Sequence, residues 1–306
     1  MRRLALALIL TMGMLVAAAQ SPVAPITLGS KIDTEGSVLA QIIRLVLENN
    51  GIEVIDRSGF GTTAVVRQAL LSGEIDMYPE YTGTALTFFP NADLPADIAT
   101  KPQELYDAVK RLDKEENDVV WLGRSPANNT WAIAVPKTLA DANDLVTMAD
   151  LAAYVNAGKP FKLAASQEFV DREDALPAFE KTYGFSLEGD QLVILAGGNT
   201  TQTETAAANG TDGVNAAMAY GTDGTISALG LVTLQDPKGA VAIYQPAPIV
   251  RGPVAEAYPQ LGSLLDPVFA TLDESVLQDL NGRVAVNGEN PTDVARDYLV
   301  SAGFLH

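Results

Sequence analysis

From Ile26 to Phe89 the apolar positions change period in a regular order. Ile26-Thr27-Leu28 is a short extended run, and Val38, Leu39, Ile42, Ile43, Val46 and Leu47 then recur at helical spacing until Asn49-Asn50-Gly51 stops them. Ile52 to Ile55 predicts a second strand. Gly61-Thr62-Thr63 opens a second helix through Val65, Val66, Ala69 and Leu70, which Gly73 ends. Glu74 to Met77 predicts a third strand that turns on Pro79, exposing the Tyr78 and Tyr81 rings, before an apolar run from Ala85 to Phe89. Short strands alternating with helices imply an α/β fold with right-handed crossovers. Ligands of such sheets sit beyond the carboxyl ends of the strands, which places Lys31 and the Tyr81 loop on one edge.

Further along, Gln103 to Glu116 predicts a helix with Leu105, Val109 and Leu112 inward, and Val119 to Leu122 a strand. The polar segment Arg124 to Thr130 reads as a crossover into a second unit that starts with the strand Trp131 to Val135. Phe161 to Ala165 predicts another strand and Leu176 to Thr182 a helix. Gly198-Asn199-Thr200-Thr201, an Ala-rich helix, Gly213, an apolar strand and Tyr220-Gly221-Thr222 then echo the arrangement around Gly61 and Tyr81. A strand over Val241 to Tyr244, leading into Gln245-Pro246-Ala247-Pro248, reads as the return crossover. Val254 to Leu305 predicts helices broken by Pro267, Asn281-Gly282 and Pro291, with packing as their role.

Composition narrows the chemistry. Arg2 and Arg3 precede an apolar run from Leu4 to Val16 and Ala17-Ala18-Ala19, which predicts a signal peptide over 1–19 and a periplasmic protein; there is no cysteine to carry a lipid. The only histidine is His306, so a Ser-His-Asp triad and His/Cys metal sites are excluded. Neither a catalytic residue, a metal nor a cofactor is expected, because no paired carboxylate motif stands out and the Gly/Thr clusters lack the Gly-Lys-Thr of a phosphate loop. With Arg2 and Arg3 removed, 18 basic residues face 38 acidic ones, a net charge near −20. Such a surface repels nucleic acid but not a cationic or zwitterionic small molecule.

Several motifs in one order carry a family likeness: GSKIDTEG (29–36), GTTAVVRQAL (61–70), DMYPEYTGT (76–84), ANNTWAIAV (127–135), KLAASQEF (162–169), PAFEKTYGF (177–185) and NAAMAYGTDG (215–224). Over nearly the whole mature chain the sequence resembles the periplasmic substrate-binding proteins of osmoprotectant ABC importers, of the glycine-betaine-binding type. The resemblance implies a two-lobed type II periplasmic binding fold, each lobe a mixed, mostly parallel sheet flanked by helices. Lobe one would comprise 24–126 plus 243–306 and lobe two 127–242, with the ligand between them. The implied partners are a small zwitterionic or cationic quaternary amine and an inner-membrane ABC permease, bound by a monomer without catalysis of its own.

The resemblance also implies the site. Tyr81, Trp131, Tyr220 and Tyr244 would form an aromatic cage for a trimethylammonium head. Such a head has no N–H, so ring faces rather than hydrogen bonds select it, at about 0.5–2 kcal/mol per ring. Lys31, Thr84 and Arg172 would hold the ligand carboxylate, with Ser30, Asn129 and Thr222 lining the cleft. Relatives often carry Tyr in place of Trp131, and some an acidic residue in place of Asn129. Choline, carnitine or proline betaine remain alternative ligands, and an osmolyte sensor without import remains an alternative role. Choline lacks a carboxylate, and Lys31 and Arg172 argue against it.

Overall fold

A computed structural model describes residues 24–95, 97–196 and 199–305. The predicted signal peptide, Gly198 of the repeated motif and His306 lie outside the described residues. Along the chain, β1 (Ile26–Lys31), α1 (Thr34–Asn49), β2 (Val54–Gly61), α2 (Thr63–Ser72), β3 (Met77–Tyr81), α3 (Thr82–Leu86), α4 (Pro102–Asn117) and β4 (Val119–Trp121) come first. The middle holds β5 (Trp131–Pro136), α5 (Lys137–Asn143), α6 (Met148–Asn156), β6 (Leu163–Ser166), α7 (Gln167–Asp171), α8 (Leu176–Tyr183) and β7 (Leu192–Leu195). It continues through α9 (Thr200–Asn209), β8 (Ala216–Tyr220), α10 (Thr225–Ala228) and β9 (Leu231–Thr233). Last come β10 (Pro246–Arg251), α11 (Gly252–Ala257), α12 (Leu261–Phe269), α13 (Glu274–Ala285) and α14 (Pro291–Ser301).

The strands form two five-stranded sheets, ordered β2-β1-β3-β10-β4 and β7-β6-β8-β5-β9. Both are mixed: β1 runs parallel to β2 and β3, while β10 is antiparallel to β3 and β4; β6 runs parallel to β7 and β8, while β5 is antiparallel to β8 and β9. The chain therefore passes between sheets twice, after β4 and after β9. The two passages lie side by side: the Tyr244 N–H donates to Asn128 Oδ1 (2.8 Å), and the Asn129 N–H donates to the Tyr244 carbonyl (2.9 Å). Two adjacent connecting segments make a hinge axis for the halves they join.

α1 shows how the sequence builds the first half. Asp33 caps it by accepting the Gly36 N–H (2.6 Å), and its apolar stripe of Val38, Leu39, Ile42, Ile43, Val46 and Leu47 is buried against β1 and the C-terminal helices. Burial of each such side chain contributes about 1.5–3 kcal/mol. The cap consequently fixes the start of α1 directly after Lys31, at the sheet's carboxyl edge.

Several expectations are overturned. Pro79 does not turn the chain; it lies within β3, opposite Pro248 of β10. Pro248 points its carbonyl at the Leu122 N–H (3.0 Å), away from β3, so the two prolines meet where no ladder hydrogen bond is required between them. For the same reason Tyr78 is not exposed but fully buried, its hydroxyl donating to Glu80 Oε2 (2.8 Å). The return strand is the proline-bearing Pro246–Arg251 rather than Val241 to Tyr244. β2 begins and ends later than expected because, as an edge strand, it carries Asp56 and Arg57 facing solvent instead of an apolar run. Pro267 and Asn281-Gly282 do not break helices: they lie inside α12 and α13. Gly224 packs backbone on backbone against α13 at Gln278 and Gly282, where a side chain on Gly224 would not fit.

No helix among the described residues is long and apolar enough to cross a membrane.

Candidate functional site

The carboxyl ends of β1, β3, β6 and β8 face a cavity between the sheets. Lys31 ends β1, Tyr81 ends β3, Ser166 ends β6 and caps α7, and Tyr220 ends β8. The cavity is small and partly open, on the scale of a small-molecule site. Tyr81, Trp131, Tyr220 and Tyr244 all line it, as do Lys31, Thr84, Asn129 and Arg172. Ser30 and Thr222 do not. Ser30 is buried beside the cavity, accepting the Gly59 N–H (2.8 Å) and so pinning β2 to the irregular end of β1. Thr222 is buried behind Tyr220 with its hydroxyl toward Glu35.

Three of the rings form one cluster. Trp131 and Tyr220 are register partners on antiparallel β5 and β8, and their centroids lie 4.6 Å apart. Tyr244 meets Trp131 edge-on at 6.4 Å, and Phe169 backs it at 5.2 Å. At 4.6 Å the Trp131 and Tyr220 faces are in contact, so a cation cannot sit between them; the pair acts as one composite wall. Tyr81 approaches from the other sheet.

The two basic residues among the three expected carboxylate ligands are already paired. Lys31 Nζ donates to buried Glu80 at 2.6 Å and stands 4.8 Å from the centroid of the Tyr81 ring. The Arg172 guanidinium binds Asp174 through two hydrogen bonds (2.9 and 2.6 Å) and Glu168 through a third (2.9 Å), 5.6 Å from the Trp131 ring. Arg172 is therefore not a lone basic group awaiting an anion, although an arginine has donors beyond these three. Burial pushes the Asp174 carboxyl up, but the Arg172 guanidinium outweighs it and holds the group below the usual range. The same contacts raise Arg172 against its own burial.

Behind the rings lie further carboxylates that the sequence did not single out. Asp33 lines the cavity, and its burial raises its carboxyl although the Gly36 N–H opposes this. Tyr244 donates its hydroxyl to Asp174 (2.7 Å), and Tyr81 donates to Glu35 (3.0 Å). Glu35 is 4% exposed and also accepts from Asn129 Nδ2 (2.9 Å) and Asn281 Nδ2 (2.8 Å); burial pushes its carboxyl up to about 7. Asn281 comes from α13, a helix expected to serve only packing. The signal that could have found Glu35 is the capping pattern Asp33-Thr34-Glu35, which directs a first-turn carboxylate toward the sheet edge. Nothing local marks Asn281.

Backbone donors complete the cavity. Thr62 and Thr63 line it from the start of α2, and Thr62 makes no side-chain cap, so first-turn N–H groups are left for a ligand anion. The arrangement thus presents ring faces and buried carboxylates on one side and N–H donors on another. Such a surface suits a small amphoteric or cationic molecule.

Comparison with known proteins agrees with this chemistry. A family model described as the substrate binding domain of ABC-type glycine betaine transport systems matches residues 24–301. The chain is 52% identical to the glycine betaine-binding protein YehZ of Escherichia coli, covering 92% of this chain and 91% of the relative. It is 32% identical to a glycine-betaine-binding protein of Pseudomonas aeruginosa, covering 98% of this chain and 94% of the relative. The structure of apo YehZ superposes with a TM-score of 0.69, covering 92% of this chain and all of that one. A glycine betaine/carnitine/choline ABC transporter structure at 22% identity shares the fold with a TM-score of 0.72, covering 91% of this chain and 99% of that one.

Proposed function

Since the chain belongs to the family of substrate-binding domains of ABC-type glycine betaine transport systems, we propose that it captures a small quaternary-ammonium zwitterion, foremost glycine betaine, and delivers it to an inner-membrane permease. The observation that carries this reading is the cavity itself, walled by Tyr81 from one sheet and Trp131, Tyr220 and Tyr244 around the other. The trimethylammonium head rests on the composite Trp131–Tyr220 wall and on Tyr244 and Tyr81, each ring contributing about 0.5–2 kcal/mol. The carboxylate is held by the free N–H groups at Thr62 and Thr63, with Thr84 and the remaining donors of Lys31 and Arg172.

The lobes of this reading are 24–126 with 243–306, and 127–242. They close by rotation about the paired passages at Asn128 and Tyr244, because only the closed form brings all four rings to one ligand. The protein acts as a periplasmic monomer, exported by the signal peptide over 1–19, and does no chemistry on its ligand.

A second reading has one observation in its favour. Lys31 is neutralised by buried Glu80 and Arg172 by half-buried Asp174, which leaves both cations of the cavity paired and makes a monocation such as choline acceptable. Calorimetric titration of the mature protein with glycine betaine, proline betaine, choline, carnitine and proline decides between the two. Heat with betaines but not choline supports the first, and heat with choline the second. No heat with any of them refutes both.

A further inference from the structure

Glu35 makes no ion pair in the described structure, yet three donors from three separate segments converge on its carboxylate: Tyr81 from β3, Asn129 from the passage between sheets, and Asn281 from α13. Asn281 simultaneously donates to the Thr222 carbonyl (3.0 Å) on the loop that follows Tyr220. The Oδ1 atoms of Asn129 and Asn281 have no partner among the described residues, so both amides are turned to spend their N–H groups on Glu35. Surroundings built entirely of donors favour an ionised carboxylate, whereas burial opposes one. A cation arriving on the Tyr81 ring would tip this balance.

We propose that Glu35 is the charge-selecting residue of the cleft: through the Tyr81 hydroxyl it sets negative charge behind the ring face, so that a permanent cation is preferred over an uncharged group of the same shape. A phenol whose O–H is drawn toward a carboxylate has a more electron-rich ring, and the carboxylate itself attracts the cation across the ring. Position follows from the same contacts, because the Glu35 contact fixes the Tyr81 ring while Asn281 fixes the loop carrying Tyr220. This inference rests on the reading of the cavity as a quaternary-ammonium site.

The groups facing Glu35 are Asp33 at the start of its own helix, Tyr81, Asn129, Thr222 and Asn281. Asp33 is the other carboxyl among them, and it faces Lys31. With Glu35 titrating near 7, preference for a cation should rise between pH 6 and 8.

The test compares each cation with its carbon isostere by titration: glycine betaine against 3,3-dimethylbutanoate, and choline against 3,3-dimethylbutan-1-ol. In Glu35→Gln the affinity ratio of cation to isostere should fall about tenfold, the order expected for removing one charge several ångströms from the ammonium at an effective dielectric between those of the protein surface and of water. The wild-type ratio should rise from pH 6 to 8, and that of the variant should stay flat. Tyr81→Phe, which keeps the ring and the carboxylate but cuts their link, should lower the ratio about threefold. It also decides the matter should Glu35→Gln fail to fold. A ratio unchanged in these variants while the wild-type protein binds betaine or choline overturns the role of Glu35 and leaves the proposed function standing. Absence of any quaternary-amine binding by the wild-type protein overturns both.

Discussion

A carboxyl held neutral-leaning by burial should cost stability whenever it is charged, and Glu35→Gln measures that cost. In the folded protein the group titrates near 7 against an ordinary value of 4.5, because burial penalises the charged form more than its hydrogen bonds repay. Between pH 4.5 and 7 the folded state therefore holds a proton that the unfolded chain releases, and stability falls as pH rises through this window. The full penalty above pH 7 is about 3 kcal/mol at 1.36 kcal/mol per pH unit. Glutamine removes the charge and keeps one acceptor for Tyr81. Its amide N–H₂ would face Asn281 Nδ2, but an amide flip of Asn281 presents the Oδ1 that now lacks a partner, at the loss of the Asn281 bond to the Thr222 carbonyl. After about 1 kcal/mol lost in weaker hydrogen bonds, the variant should be more stable at pH 8 by about 2 kcal/mol, or about 4 °C in melting temperature. Melting curves of both proteins from pH 4.5 to 8 provide the assay, with the two crossing as pH falls and the variant about 1 kcal/mol the less stable at the acid end. A variant less stable than the wild type at pH 8, or a difference that does not change with pH, would refute the reasoning. Together with the selectivity change proposed above, the outcome would mark Glu35 as a residue kept for binding at a cost in stability.

Other outcomes follow from the packing. Trp131 is 5% exposed and wedged among Phe169, Tyr220 and Tyr244, so Trp131→Ala should lose about 3–5 kcal/mol of stability in a denaturant melt and is a poor probe of binding. Trp131→Phe keeps a ring and should weaken glycine betaine about two- to fivefold in titration with a much smaller stability loss. Arg172→Lys cannot reproduce the two-pronged contact with Asp174. It should weaken glycine betaine more than choline, if the remaining donors of Arg172 reach the ligand carboxylate; equal losses would remove Arg172 from that role. Away from the cleft, Asp113 accepts both Arg67 nitrogens (2.9 and 2.5 Å) and the Trp121 indole N–H (2.8 Å) while fully buried. Asp113→Ala should cost about 3–5 kcal/mol in a chemical melt, since it strands a buried guanidinium.

Most helices and strands were legible because their signals are local. The stripe of α1 with its Asp33 cap, the glycine that ends α2, and the apolar runs of β5 and β8 need only neighbours in sequence to be read. Errors concentrated where a distant strand decides the conformation. Pro79 looks like a turn until β10 supplies a position at which its missing N–H is harmless, and Val241 to Tyr244 looks like a strand although the proline-rich segment after it makes the ladder.

The site divides in the same way. Residue type and order brought four rings, Lys31, Thr84, Asn129 and Arg172 into view, and all of them line one cavity. Most of their electrostatic partners were hidden, because the contact closes a long loop: Glu80 with Lys31 across 49 residues, Asp174 with Tyr244 across 70, and Glu35 with Asn281 across 246; Arg172 is the exception, paired with its sequence neighbours Glu168 and Asp174. By itself the sequence determined the alternation of strand and helix, the exclusion of histidine and cysteine chemistry, and which aromatic and basic groups end the strands at the cleft, since these are matters of composition and short period. Only the tertiary structure decided that Lys31 is already neutralised, that Trp131 and Tyr220 act as one wall, and that a buried glutamate stands behind Tyr81. Charge balance inside a cavity is a property of which distant segments meet there, and no local pattern encodes it.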